Sequence, residues 1–395
     1  EFKTFSTALH HSRASSSNAS PLPTRRRAMG CCGSKKSRGD AYRLEENKSG
    51  GQFQAIGSDG AGFGNTGFGS GGPAPTRPTS APQQAARPDP KDFTFGNLKG
   101  EVKVREPGTV NGQQFIIDSC QDCDLYVLDH NAAITIDDCK NCRIFIGPCE
   151  SSIFIRDCYN CKLVFFCRQF RTRNCEDCDF SLYCATRPII ESSKRLRFGC
   201  IDYHYEGLEE GMKACQLSKF TNYWSHIHDF TKAPNNWSLL PPNVRGDDLL
   251  APRPAAKCLH PNGTPNPPPF VLRTWGERDP VYSETAFVLL PPSADQESTA
   301  NRILKKTAGA AVLVHTNKAA VDSDIAKQLV QLAAGEVQGN INHLVKAMTK
   351  GKTIGLEFGG PGCLQAVKSA LPPGDCICTA NTQASSMFRY MGIEG

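Results

Sequence analysis

Four C-x-x-C pairs recur at a nearly constant interval in the middle of this chain, and they limit its fold more than any other feature. Their first cysteines, Cys120, Cys139, Cys158 and Cys175, are 19, 19 and 17 residues apart. Each pair ends one of the similar strings FIIDSCQDC, ITIDDCKNC, IFIRDCYNC and FRTRNCEDC. A period of about 20 residues with one short strand set per period is typical of a parallel β-solenoid, in which each coil stacks on the previous one.

The cysteine spacing is also compatible with zinc, because paired thiolates on two turns can complete a tetrahedral shell. The periodicity, however, extends to the apolar and polar positions before the cysteines, which a metal site does not require. Small, slightly apolar cysteines also suit an inward stack where a coil turns a corner. We therefore favour the solenoid over the zinc site, and we expect no metal and no other cofactor.

The repeat assigns the strand positions to two faces. Alternate positions before the cysteines are mostly apolar and are predicted to point inward; they are Phe115, Ile117, Ile134, Ile136, Ile153, Ile155, Phe170 and Thr172. The other positions are predicted to face solvent; they are Ile116, Asp118, Thr135, Asp137, Phe154, Arg156, Arg171 and Arg173. Exposed arginines on a rigid strand suit an anionic partner, but they also serve solubility alone, and the alternation leaves both interpretations open.

Composition divides the 395 residues into domains. Residues 1–90 are low in complexity and are predicted to form a disordered arm. Residues 91–245 hold the predicted solenoid and an aromatic-rich cap, and the Pro-rich residues 246–282 are predicted to form a linker. Residues 283–385 alternate strands with predicted helices near 294–307, 322–349 and 361–371, which indicates a ferredoxin-like α/β domain.

Three histidines outside the repeat are candidate functional residues, His226 and His228 as metal ligands and His315 as a catalyst. His226 and His228 lie two residues apart, which would place both on one side of a strand, but no third ligand is visible beside them in the sequence. His315 lies in the apolar string AAVLVH. Packing or hydrogen bonding inside the fold is the preferred interpretation of all three.

The arm carries a lipidation-like motif. The string MGCCGSKK starts at Met29 and fits M-G-x-x-x-[ST] with adjacent cysteines and a basic flank. If Met29 is the true start, Gly30 is a candidate for myristoylation, and a second acyl chain on Cys31 or Cys32 would strengthen membrane attachment. We interpret the 28 preceding residues as a leader or a reading-frame artefact; the other interpretation is an ordinary internal MGCC.

The net charge of +6 resides in the first 50 residues, which hold ten basic and four acidic residues, whereas the rest holds 35 of each. A broad basic surface for nucleic acid is therefore not expected, and the basic arm suits an anionic membrane surface. No run of 18 apolar residues predicts a membrane-spanning helix. Without an export signal, the 19 cysteines are expected to stay reduced in the cytosol.

Several strings together carry a family resemblance: MGCCGSKK, DPKDFTFGNLKG, PGTVNGQQF, the C-x-x-C coils, CRQFRTRNC, CATRPIIESS, WSHIHDF and NWSLLPP. By these strings, the chain resembles the family of tubulin-folding cofactor C and the retinitis pigmentosa 2 protein, strongly over 29–245 and weakly over 283–385. The resemblance implies a right-handed parallel β-helix, an acylated N-terminus and a C-terminal domain similar in fold to nucleoside diphosphate kinase. Because no kinase-type active-site histidine string is present, no kinase activity is expected.

The resemblance also implies GTPase activation on a small ADP-ribosylation-factor-like GTPase in its GTP form, with an arginine supplied in trans. Arg171 matches the family's arginine finger, Glu191 an acidic interface residue and Phe230 an apolar contact, and Gln169 and Arg173 flank the finger. By family analogy, the protein would act in the release of lipidated cargo at the cytoplasmic face of the plasma membrane and at the base of cilia or flagella.

One position departs from the family pattern. The family has Gln three residues before the arginine, whereas this chain has Arg168 there, followed by Gln169. Arg168 either adds a second positive charge at the partner interface or disturbs the fit. The alternative hypothesis is therefore a scaffold that binds the GTPase or tubulin without accelerating hydrolysis.

Overall fold

The computed structural model describes residues 89–251, 270–278 and 282–392. Residues 1–88, which make up nearly all of the predicted arm and include Gly30, Cys31 and Cys32, lie outside the described residues. The described residues form a β-helix followed by an α/β domain.

The β-helix opens with a 3₁₀ helix at Pro90–Phe93, and twelve strands follow within the described residues. The strands are β1 (Thr94–Gly96), β2 (Val102–Arg105), β3 (Phe115–Asp118), β4 (Asp124–Val127), β5 (Ile134–Asp137), β6 (Arg143–Arg156), β7 (Lys162–Arg173), β8 (Asp179–Cys184), β9 (Ile189–Glu191), β10 (Leu196–Cys200), β11 (His228–Asp229) and β12 (Trp237–Leu239). The helices of this part are α1 (Leu208–Ala214) and α2 (Gly246–Leu249).

The strand pairs of the β-helix are parallel, which confirms the predicted solenoid. Ile134, Ile153 and Phe170 stand side by side in β5, β6 and β7, as their equivalent positions in the repeat predict. The long strands β6 and β7 cross a corner and contribute to two sheet faces. Their N-terminal halves pair with β4 and β8, and their C-terminal halves pair with β5 and β9.

Residues with a left-handed backbone conformation shape the corner of the coil that carries the cysteines. Asp138 and Asn141, which precede Cys139 and Cys142, have φ values of 52° and 55°. The same conformation recurs before the cysteines of the other three pairs. Short polar side chains such as Asn and Asp tolerate this conformation best. The polar positions of the repeat therefore turn the chain.

The repeat cysteines are buried and form no disulfides. The Cys142 thiol, for example, lies 3.5 Å from the carbonyl oxygen of Cys120 in the previous coil and 3.3 Å from that of Lys140. The predicted inward rows are buried and the predicted outward rows are exposed or half-buried, so the assignment of the two faces is confirmed.

The cap includes a packed part of the predicted linker. Trp224 is fully buried, and its indole N–H donates to the Thr274 hydroxyl at 2.9 Å. Thr274 belongs to residues 270–278, which run along the edge of the C-terminal domain, where the Trp275 N–H donates to the Leu313 carbonyl oxygen. The predicted linker 246–282 thus contains the helix α2 and the packed segment 270–278; its residues 252–269 and 279–281 lie outside the described residues.

The C-terminal domain is a five-stranded antiparallel sheet covered by helices. Its elements are β13 (Thr285–Leu290), α3 (Gln296–Thr307), β14 (Val312–Ala320), α4 (Ser323–Leu332), β15 (Val337–Gln338), α5 (Ile341–Met348), β16 (Lys352–Gly359), α6 (Cys363–Ala370), β17 (Cys376–Thr379) and α7 (Thr382–Arg389). The sheet order β14-β16-β13-β17-β15 places the four longer strands in ferredoxin-like order, as predicted.

Two details differ from the sequence-based expectation. The predicted helix over 322–349 is two helices, because Gly335 and Gly339 have φ values of 84° and 93° and the short strand β15 lies between them. The domain also continues past 385 through the end of α7. No helix in the described residues is long and apolar enough to cross a bilayer.

Candidate functional site

Arg171 projects from the outward row of β7. The alternation of β7 buries Phe170 and Thr172 on either side of it, so the backbone at Arg171 is held by core packing while its side chain is exposed. Within the described residues, the guanidinium of Arg171 makes no ion pair or side-chain hydrogen bond. Arg171 is therefore a preorganised cation that is free to meet a ligand.

Several other arginines of the β-helix are paired with carboxylates. The Arg156 Nε donates to Asp137 at 2.7 Å, and the Arg143 Nη2 donates to Asp124 at 2.8 Å. Further such pairs are Arg195 with Asp177 and Arg197 with Asp179. The recurrence of these pairs along the solenoid distinguishes Arg171 and Arg173, which have no such partner among the described residues.

Glu191 lies on the strand next to the two free arginines. The register of β7 and β9 places Ile189 beside Arg171 and Glu191 beside Arg173. Glu191 is exposed, and like the two arginines it is unpaired within the described residues. Adjacent strands lie about 4.8 Å apart, so all three charged side chains share one small area of surface.

Phe230 extends this area by one more strand. β11 pairs with β9, and the Phe230 N–H donates to the Ile190 carbonyl oxygen at 3.0 Å. The Phe230 side chain is 61% exposed, and its ring contacts the His228 ring edge-to-face at 4.6 Å. An exposed aromatic ring beside free charges is typical of a protein-binding surface.

A buried hydrogen-bond network holds the turn that presents Phe230. The Asp229 carboxylate accepts from the Thr231 N–H and from the Asn236 amide, each at 2.9 Å. The Thr231 hydroxyl in turn accepts from the Ser192 N–H at 2.8 Å, which ties the turn to the end of β9. The sequence analysis did not predict this network, although Asp229 and Asn236 lie in the strings WSHIHDF and NWSLLPP.

Arg168 is not part of this free surface. Its Nε donates to the Glu150 carbonyl oxygen at 2.8 Å and its Nη2 to the Cys215 carbonyl oxygen at 2.9 Å. Its guanidinium therefore joins a corner of β6 to the end of α1. Gln169, by contrast, is exposed and lies on the same side of β7 as Arg171.

We name the exposed residues Gln169, Arg171, Arg173, Glu191 and Phe230 the Arg171 surface. The structure brings together every sequence-predicted partner-binding residue except Arg168. Ile189 pairs with Arg171, and His228 pairs with Ile189, so both residues line the same area. Their place there follows from the pairing of β9 and β11, which the sequence does not indicate. The surface can offer cations to an anionic ligand and an apolar anchor to a protein.

The fold agrees with the comparison with protein families. The profile of the family described as tubulin binding cofactor C matches residues 112–230, which hold most of the β-helix and end at Phe230. The described β-helix thus defines a protein with a tubulin binding cofactor C domain.

Relatives that are similar over most of the chain define the protein family more narrowly. Protein XRP2 of Danio rerio is 40% identical over 346 residues, which cover 86% of this chain and 90% of the relative. Protein XRP2 of Homo sapiens is 40% identical over 287 residues, which cover 71% of this chain and 80% of the relative. The chain belongs to the XRP2 family.

Two further similarities cover smaller parts of the chain. The tubulin-folding cofactor C of Arabidopsis thaliana is 39% identical over 90 residues, or 21% of this chain and 25% of the relative. The solved structure of tubulin binding cofactor C from Leishmania major has a TM-score of 0.26 and 21% identity, and the match covers 35% of this chain and 88% of that chain.

Proposed function

We propose that this protein is a GTPase-activating protein for an ADP-ribosylation-factor-like small GTPase, with Arg171 as an arginine finger supplied in trans. The observation that carries the proposal is the exposed, unpaired guanidinium of Arg171 on a strand that core packing holds on both sides. The partner GTPase performs the hydrolysis.

The chemistry requires a cation where negative charge develops. Water attacks the γ-phosphorus of GTP, the bond to the β–γ bridging oxygen breaks, and GDP and inorganic phosphate leave. A guanidinium against the β and γ phosphates stabilises the departing charge, and such fingers accelerate hydrolysis by about 10³- to 10⁵-fold. The planar guanidinium also forms two parallel hydrogen bonds, which a lysine ammonium cannot do.

The remaining residues of the Arg171 surface have separate roles in the proposal. Phe230 anchors the GTPase through its exposed ring. Glu191, which stands beside Arg173 in the register of β7 and β9, orients the finger at the partner interface. Gln169 lies two residues from Arg171 on the same face and can donate or accept a hydrogen bond at the rim.

A second candidate function rests on Arg168. Since the family has Gln at this position and Arg168 is bonded to two carbonyl groups, the neighbourhood of the finger differs from the family pattern. This difference favours a scaffold that binds the GTP form of the GTPase, or tubulin, without accelerating hydrolysis.

The proposal includes attachment to a membrane. Gly30, Cys31 and Cys32 would carry acyl chains, and the adjacent lysines would bind anionic lipids. This attachment would place the Arg171 surface at the cytoplasmic face of the plasma membrane, including the base of a cilium or flagellum, where the GTPase would release lipidated cargo.

The experiment that tests the proposal measures binding and hydrolysis together. The full chain is titrated into a panel of ADP-ribosylation-factor-like GTPases loaded with GDP or with a non-hydrolysable GTP analogue, and GTP hydrolysis is then followed in a single turnover. Preferential binding of the GTP form with a large acceleration supports the activator. Tight binding without acceleration supports the scaffold, and binding to tubulin alone would overturn both GTPase hypotheses.

A further inference from the structure

Three potential metal ligands meet where the cap of the β-helix packs on the C-terminal domain. The Glu277 Oε1 lies 3.0 Å from the His226 Nε2 and 3.3 Å from the His315 Nε2. All three ligand atoms lie within 4.8 Å of one another. His226 comes from the cap, Glu277 from the segment 270–278 and His315 from β14.

The segment that carries Glu277 is held tightly. Gly276 has a φ of 71°, and a Cβ atom there would come within 2.5 Å of the Trp224 ring. The Gly276 N–H donates to the Val314 carbonyl oxygen at 3.0 Å, and the Glu277 N–H donates to the Ser225 hydroxyl at 3.2 Å. Because Gly276 has no side chain, the backbone can pack closely against Trp224, and this packing fixes the position of Glu277 beside both histidines.

A strand irregularity aims His315 at the same point. The register of β14 and β16 shifts between Leu313 and His315, and bulges of this kind redirect side chains near functional sites. The His315 Nδ1 lies 2.8 Å from the Glu357 Oε2. Because a carboxylate only accepts, we assign the proton to Nδ1, which leaves a lone pair on Nε2 directed towards Glu277.

The buried nitrogens of this cluster have no hydrogen-bond partner. Both ring nitrogens of His226 and the Nε2 of His315 are buried without one, although the Glu277 oxygen is near. The contacts are thus short but are not aligned as hydrogen bonds. The His226 side chain is only 5% exposed. Buried polar groups are normally paired, and an ion is one partner that such groups take.

The spacing of the three ligand atoms suits a metal ion. With metal–ligand bonds of about 2.0–2.1 Å, neighbouring ligand atoms of a tetrahedral zinc site are about 3.3 Å apart. The charges also favour a cation, since Arg389 is the one arginine or lysine that contacts Glu277 and Glu357 in the part of the chain that the structure describes.

We propose that His226, Glu277 and His315 form a binding site for a divalent transition metal such as Zn²⁺, with a fourth coordination position open to water. Glu357 positions His315 from behind, as carboxylates do behind metal-bound histidines. The metal joins the cap of the β-helix to the C-terminal domain. The sequence analysis preferred packing for His226 because the third ligand lies 51 residues away in the chain.

The test is a Zn²⁺ titration of the full chain, stripped with a chelator and kept reduced, in competition with a chromophoric zinc indicator. Wild type is compared with His226→Gln, Glu277→Gln and His315→Gln. The matched control is His343→Gln, a histidine of the same domain on α5. Thiols elsewhere contribute equally to all five proteins. We expect wild type and control to bind one more equivalent of Zn²⁺ than the three variants.

Two further measurements keep the proposal falsifiable if a buried variant fails to fold. Glu357→Gln should retain the extra equivalent but bind it about 10- to 100-fold more weakly, as for other carboxylates behind metal ligands. Co²⁺ should give a visible ligand-field band in wild type that is absent in Glu277→Gln, whose site of change is 40% exposed and tolerates substitution. Equal Zn²⁺ stoichiometry and affinity in wild type and Glu277→Gln would overturn the proposal and leave a protonated histidine as the cation.

Discussion

Arg156 and Arg173 stand side by side in the register of β6 and β7, yet only Arg156 is neutralised by a carboxylate. The arginine–aspartate pair between β5 and β6 is thus not repeated between β6 and β7, although such pairs recur elsewhere along the solenoid, as at Arg197 and Asp179. On β7 the outward row offers two free guanidinium groups, at Arg171 and Arg173. This difference sets the Arg171 surface apart from the neighbouring charged exterior of the β-helix.

Phe230→Ala should weaken binding of the GTPase without affecting the fold. The ring is 61% exposed, so its removal costs little stability, whereas the loss of an aromatic anchor should weaken affinity about tenfold, or about 1.4 kcal/mol. Titration of the GTP-bound partner measures the change. Tyr159→Ala is the control, because Tyr159 is an exposed aromatic residue of the same domain outside the Arg171 surface. Equal affinity of Phe230→Ala and wild type would exclude the anchor.

Asp129 should support stability in weakly acidic solution. Burial raises its pKa, but N–H donors of Asn111, Gly108, Val110 and His130 outweigh burial and hold the pKa below its usual 3.8. Its contribution is therefore complete above the pKa of the unfolded chain and is lost as the pH falls through the lower pKa of the folded state.

Denaturant unfolding at several pH values between 3 and 7 measures this contribution. Asp129→Asn should be less stable than wild type at neutral pH, and the difference should shrink as the pH falls towards 3. Asp324→Asn on α4, where the Asp324 side chain is 86% exposed, is the control substitution. A constant difference between Asp129→Asn and wild type across this range would contradict the assignment.

Gly276→Ala should destabilise the junction between the domains more than a comparable glycine change elsewhere. Both Gly276 and Gly309 have positive φ, at 71° and 81°, which costs an alanine about 1–2 kcal/mol. Only at Gly276 does the added Cβ meet a buried ring, which adds about 1–3 kcal/mol. Thermal unfolding of Gly276→Ala and Gly309→Ala separates the two terms. Equal losses would show that the contact with Trp224 is unimportant.

The core thiols should resist alkylation until the protein unfolds. Burial raises the pKa of Cys149 to about 12, so almost no thiolate is present at pH 8, and the side chain is inaccessible. Mass spectrometry after iodoacetamide treatment should find Cys149 modified only in denaturant. Alkylation at equal rates with and without denaturant would mean that the corner of the coil opens readily.

The repeat made the solenoid predictable, because its period, its alternation and its polar corner residues all describe one coil. The alternation also indicated that Arg171 faces solvent, since Phe170 and Thr172 occupy inward positions of the same strand. These features are local or repeat at short range, where sequence patterns are informative.

The missed features depend on contacts between distant parts of the chain. Arg168 seemed a free cation, but its partner on the cap, the carbonyl group of Cys215, lies 47 residues further on. Likewise, Glu277 joins His226 and His315 only after the cap packs on β14. No periodicity in the sequence indicates such long-range contacts. The sequence therefore predicted that Arg171 faces solvent, but it did not predict the hydrogen bonds of Arg168 or the cluster around Glu277.

The most direct test of the account is single-turnover GTP hydrolysis by the partner GTPase with full-length wild type, Arg171→Ala and Arg173→Ala, each at saturating concentration, with affinities measured in parallel. We predict that Arg171→Ala binds nearly as tightly as wild type but loses about 10³-fold or more of the acceleration, whereas Arg173→Ala retains most of it. Acceleration by Arg171→Ala equal to that of wild type would contradict the assignment of Arg171 as the finger.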